Sequence, residues 1–293
     1  MSEVPDPLPP RSRRVAGLSA LGWVPVFWYS LFLFGPLALV LATSLANRGV
    51  YGGIDWQISF ENFSRAFDPL YAQVIFRSFW LALTTASLCL LLGFPMALAM
   101  ATASRKHRNT LVMLLAVPFL TNLIIRICAL KALTAFDGPL ATALAFFHVP
   151  HDPFSLSQNF PLVLFGMIST YLPFMVFPLY GALERFDFSL IEAAQDLGAT
   201  YAQVLTRILF PNLRRAIVSG FLLVFIPALG EFVIPDLLGG AKTMLAGNLI
   251  SEQFLKARDW PFGSALSVIL ILLLGVAIFV LRKVEGREVR SNG

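Results

Sequence analysis

The chain has 293 residues, 57% of them hydrophobic and 13% charged, where a soluble domain carries about 25% charge. That leaves too little polar surface to cover a water-soluble globule, so part of the solvent around this protein must be lipid. The formal net charge of +5 sits in short clusters between apolar runs rather than along a stripe, which argues against a nucleic-acid partner.

In chain order, Arg11, Arg13 and Arg14 precede an uncharged stretch from Val15 to Asn47. A secretory signal has an apolar region of only about 7–15 residues, so this stretch reads as a retained first span. About 20 apolar residues cross a hydrocarbon core roughly 30 Å thick. Uncharged runs of that length predict spans at 23–46, 78–103, 110–130, 160–182, 214–238 and 262–281, the fifth interrupted by Glu231 and Asp236. The expected fold is an all-α polytopic membrane protein with six transmembrane helices. It comprises a tail over 1–20, one membrane domain over 21–283 and a second tail over 284–293.

With the N-terminus inside, 14 of the 22 Lys and Arg residues fall in the inner segments. This bias predicts both termini in the cytoplasm. Prolines recur inside the spans, at Pro36, Pro95, Pro118, Pro173, Pro178, Pro227 and Pro235. Each removes an N–H and frees a carbonyl. In lipid such carbonyls need protein or water partners, so repeated breaks favour a transport pathway over a simple anchor.

Cys89 and Cys128 fall inside apolar runs and read as small buried hydrophobes. His107, His148 and His151 lie in connecting segments without a carboxylate partner, so no metal site and no cofactor are expected. There is no G-x-x-x-x-G-K-[ST] phosphate loop. Gly263-Ser264 has no histidine in any span to activate a serine. An enzyme within this chain is therefore not expected.

The segment from Glu184 to Asn212, between the fourth and fifth spans, carries the most information. Ser189-Leu190-Ile191-Glu192 has the spacing of a capping box, and so has Thr200-Tyr201-Ala202-Gln203. Between them stands Gly198, suited to the left-handed position after a helix C-terminus. Two short capped helices with a sharp bend are predicted, the second limited by Pro211.

Glu192-Ala193-Ala194, then Gly198, then Ile208 and Pro211 resemble the EAA loop of ABC-importer permeases, with Phe210 where leucine is usual. The resemblance implies a type I importer fold and a coupling helix that docks on an ATPase, with Glu192, Ala193, Ala194 and Gly198 as the coupling residues. It also implies the partners: two ATPase subunits that hydrolyse ATP, a second similar permease and a periplasmic substrate-binding protein, all around a lipid-embedded core. A second stretch resembles the permeases of spermidine/putrescine importers. It comprises Gly230 to Gly240, then Gly247-Asn248, Gln253-Phe254 and Asp259 to Gly263. Related permeases carry ferric ions, thiamine or amino acids, and an ion-coupled secondary transporter is the more distant alternative.

Glu231 and Asp236 are the only carboxylates in a predicted span. Ionisable groups at such depth face a cavity or a partner. As acceptors they suit an ammonium group, which brings only donors, so both are candidate substrate-pathway residues. An ion pair between Glu231 and Arg126 is the competing reading.

Overall fold

The structure, a computed structural model, describes residues 15–49, 52–147, 159–240 and 243–289. Helix α1 (Val15–Ser44) turns large apolar side chains such as Trp23, Phe27, Trp28 and Phe32 outward. A helix apolar on every face belongs in lipid. A small antiparallel hairpin follows, β1 (Asn47–Arg48) with β2 (Ile54–Asp55), and then the short α2 (Glu61–Ala66). Helix α3 (Pro69–Thr102) starts where Asp68 accepts the Leu70 N–H, with Pro69 in its first turn. Proline at that position loses no hydrogen bond.

Helices α4 (Arg105–Leu120) and α5 (Leu123–Leu133) share the third predicted span but meet at 90°. The cause is local: Asn122 takes an extended conformation and its side chain accepts the Ile124 and Ile125 N–H groups, starting a new helix. The short α6 (Pro139–Phe146) precedes α7 (Phe160–Leu183). Helix α8 (Ser189–Asp196) is the first helix of the informative loop. The next, α9, runs without interruption from Tyr201 to Leu229. Two short helices, α10 (Val233–Leu238) and α11 (Ala246–Leu255), lead to α12 (Trp260–Val289).

Pro211 was expected to limit the second loop helix, and it does not. Residues Leu205–Leu209 form a π turn just before it, and this wider turn accommodates a residue that has no N–H to give. The Asn212 side chain donates to the Ile208 carbonyl at 2.8 Å and so satisfies an acceptor beside the proline. The predicted fifth span also differs: its helix stops at Leu229, and 230–232 break the path before α10. Pro235 therefore lies in the first turn of a new helix, where it bends nothing. Cys89 is buried as expected, whereas Cys128 is exposed with Ile124 and Ile125 on the outer face of α5. His148 and His151, like Arg11, Arg13 and Arg14, lie outside the described residues.

Helices α3, α7 and α9 pack mutually around Leu81, Cys89, Met167, Met175, Leu179 and Phe225. Met175 fits because glycine faces it from both neighbours: a Cβ at Gly93 would meet its Cγ at 3.1 Å, and one at Gly220 its Sδ at 2.9 Å. Helix α12 packs on α1 and α11, and a buried Thr43–Ser264 hydroxyl pair joins α1 to α12 at 2.8 Å. Asp259, 1% exposed, accepts from Arg65 at 2.8 Å, and that guanidinium lies 3.9 Å from the centre of the Phe262 ring. These contacts tie α2 to the start of α12.

Candidate functional site

Two places hold the residues singled out above, at opposite ends of α9. At about 1.5 Å per residue, the 29 residues of that helix separate them by roughly 43 Å.

At the first end, α8 stands as a knob between α7 and α9. The Ser189–Glu192 capping box does not form, because Ser189 is already helical and its side chain makes no cap bond. The cap comes from two residues earlier: Asp187 Oδ1 accepts the Ser189 N–H at 3.0 Å. Hydrogen bonds from the Ser189 side chain and backbone hold the Asp187 carboxyl below its ordinary pKa. The helix ends in a Schellman motif, with Ala199 N–H on the Ala194 carbonyl and Gly198 N–H on that of Gln195. Gly198 takes φ +82°, as the sequence predicted, and a Cβ there would touch nothing within 4 Å. Thr200 and Gln203 complete the second capping box.

The faces of α8 are divided. Phe188, Ile191 and Ala194 lean on the core. Leu190, Glu192, Ala193 and Leu197 face outward, Leu197 at 90% exposure. Since Glu192 makes no capping bond, its carboxylate is free for an external partner.

At the other end the structure separates the two carboxylates. Glu231 sits in the break after α9 and is fully engaged. Its Oε1 accepts the N–H groups of Phe232, Val233 and Ile234 at 3.1, 2.9 and 3.4 Å. The Tyr171 hydroxyl donates to Oε2. Glu231 therefore satisfies the first free N–H groups of α10 and fastens them to α7. This is what a carboxylate does well at a helix N-terminus. The break is also closely packed: a Cβ at Gly247 would lie 2.5 Å from the Gly230 carbonyl oxygen, and one at Gly166 2.8 Å from Leu238. Ser78 on α3 accepts the Ala246 N–H at 2.7 Å and holds the start of α11.

Asp236, by contrast, is exposed and lines a cavity of about 530 Å³ between α10 and α11. Phe232, Asn248, Ser251, Glu252 and Lys256 share its wall. Asn248 belongs to the stretch that carries the family resemblance, whereas Glu252, Lys256 and Tyr171 were not singled out as site residues. The Glu252–Lys256 spacing, just after the Asp236 break, was the available signal.

Arg126 does not pair with Glu231. Its guanidinium donates to the Pro118 carbonyl at 2.7 Å and to Thr170 Oγ1 at 3.1 Å, and its Nε is buried without a partner. It braces the bend between α4 and α5 against α7.

A lipid-facing bundle of broken helices, with a capped knob at one end and a polar cavity at the other, defines a multi-pass membrane permease. Residues 17–291 match the family described as the binding-protein-dependent transport system inner membrane component. The chain belongs to that family and is an inner-membrane transport component. It is 40% identical over 255 residues to the spermidine/putrescine transport system permease protein PotB of Escherichia coli (strain K12), covering 87% of this chain and 93% of that protein. The PotB of Haemophilus influenzae (strain ATCC 51907 / DSM 11121 / KW20 / Rd) is 40% identical over 253 residues, covering 86% and 88%. In fold, a chain from the crystal structure of a bacterial alginate ABC transporter, in complex with its alginate pentasaccharide-bound periplasmic protein, superposes with a TM-score of 0.72. The match is 20% identical and covers 94% of this chain and 96% of that one. The architecture is thus that of the ABC-importer permeases.

Proposed function

We propose that this chain is one transmembrane subunit of an ATP-driven importer for a polyamine such as spermidine or putrescine. The observation that carries the reading is the 40% identity to PotB over nearly the whole of both chains. The cavity chemistry agrees with it: an ammonium group brings only donors, and Asp236 offers it acceptors at the end of the bundle away from α8.

In this reading α8 is the coupling helix. Leu190, Ala193 and Leu197 enter a groove on an ATPase, Glu192 meets a basic group there, and Gly198 fixes the bend. ATP is hydrolysed by two partner subunits, a second permease completes the pathway, and a periplasmic binding protein delivers the substrate. Asp236 lines the pathway, with Glu231 set behind it as the residue that shapes its wall. Both termini and the 184–212 loop lie in the cytoplasm, with 21–283 as the membrane domain and 1–20 and 284–293 as tails. The cavity then opens towards the periplasm.

Uptake of radiolabelled spermidine and putrescine, alongside ferric ion, thiamine and amino acids, in a strain lacking the chain tests the reading. Polyamine uptake is expected to vanish and to return with the gene. Asp236→Asn is expected to lower it while basal ATP hydrolysis stays at the wild-type rate. Loss of another solute with polyamine uptake intact would reassign the substrate. Reporters active only in the cytoplasm are expected to work after Arg105 or Gly198 and to fail near Lys256.

A further inference from the structure

The cavity beside Asp236 already holds a primary ammonium group. Lys256, the residue just after α11, lines it, and its Nζ lies 3.9 Å from Oε1 of Glu252 in the last turn of that helix. Lys256 is 78% exposed in its side chain and Glu252 37%, so the pair stands in water and is weakly held. Exposed pairs of this spacing are favoured by only about a factor of two.

A second observation points to a donor that is missing. The Asn248 carboxamide lines the same wall. Its Nδ2 donates to the Phe232 carbonyl at 2.8 Å, which fixes which way the amide points. Its Oδ1 is buried without a hydrogen-bond partner. A buried acceptor left unmatched is an uncommon arrangement, and here it shares a wall with two carboxylates.

We propose that Glu252 and Asp236 are paired acceptors for a dicationic amine, and that Lys256 is a tethered stand-in for its ammonium group. The inference rests on reading the cavity as part of a polyamine pathway and goes beyond it by assigning Glu252, Asn248 and Lys256. In the empty cavity Lys256 neutralises Glu252. An arriving amine displaces it, gives one ammonium to Glu252 and Asn248 Oδ1 and the other to Asp236, and leaves Lys256 to return to solvent. The weakness of the Lys256–Glu252 pair matters, because a strong pair would keep the substrate out. A monoamine gains only one of the two contacts, so the arrangement also selects for charge number.

The experiment uses the whole importer with its ATPases, partner permease and binding protein in proteoliposomes. A diazirine-bearing putrescine analogue is photo-crosslinked, label on this chain is quantified, and putrescine uptake is measured in parallel. Lys256→Met is expected to raise labelling about two- to threefold. Glu252→Gln is expected to lower it about tenfold, and Lys256→Met added to Glu252→Gln should change nothing further. Equal effects of Lys256→Met with and without Glu252, or wild-type labelling in Glu252→Gln, would overturn the assignment while leaving the polyamine reading in place. A wild-type importer that neither takes up nor is labelled by polyamine would instead sink both, and the wild-type control identifies that case.

Discussion

The α8 knob and the α10–α11 break both consist of short helices joined by glycine-containing turns, yet they are held by different means. The knob is secured by its own backbone: an Asp187 cap, a Schellman turn at Gly198 and a capping box at Thr200. Its outward side chains have no internal duty. The break is secured from a distance, by Tyr171 through Glu231, by Gly166 against Leu238, and by Ser78 through the Ala246 N–H. Locally determined structure leaves a surface free for a partner. Structure fixed at long range passes any disturbance to the helices around it.

The hardest test of this contrast is Glu231→Ala. It leaves three backbone N–H groups and a tyrosine hydroxyl without their charged acceptor, which costs roughly 1.5–3 kcal/mol. The thermal midpoint of the detergent-purified complex should fall by many degrees. Adding Arg126→Gln should not restore it, because Arg126 is bonded to Pro118 and Thr170; a rescue would revive the ion pair. Next comes Gly166→Leu, which presses on Leu238 and Ile234 and is expected to cost about 1–3 kcal/mol by overpacking, read in the same melting assay. Gly198→Val should cost about 1–2 kcal/mol for a side chain in the left-handed region, with normal insertion and reduced ATPase association in a pull-down. Smallest in stability is Glu192→Ala. The melting curve should be unchanged, and only transport-coupled ATP hydrolysis should fall. A lowered midpoint in that variant would show that the knob is not locally self-sufficient.

The same contrast explains what could be read from the sequence. Five spans, the left-handed Gly198 and the Thr200–Gln203 box were legible because each depends on neighbours within a few residues. The Ser189 box was misplaced by two residues, since Asp187 takes the Ser189 N–H and the Glu192 N–H goes to the Phe188 carbonyl. The continuation through Pro211 was missed because a π turn leaves no compositional mark. Glu231 and Asp236 stand out in the sequence as the only carboxylates in a predicted span. A span read as one helix over 214–238 hides their geometry, because the chain breaks between Leu229 and Val233. Tyr171, sixty positions away, could not be assigned to Glu231 by any local rule.

Helix α9 approaches α7 closely at Gly220, where there is no side chain to hold the two apart and the Met175 backbone comes near. Taken as a fulcrum, that point divides the helix unequally. About 28 Å of helix lies on the Tyr201 side and about 14 Å on the Leu229 side, at 1.5 Å per residue. A rigid rod pivoting there is a reducing lever of about two to one. A displacement of about 4 Å at the Tyr201 end would arrive beside Glu231 as about 2 Å with doubled force. That stroke is short, but the Gly247 backbone already lies against the Gly230 carbonyl. In so tight a joint, a shift of about 2 Å is passed on to the start of α11 rather than absorbed.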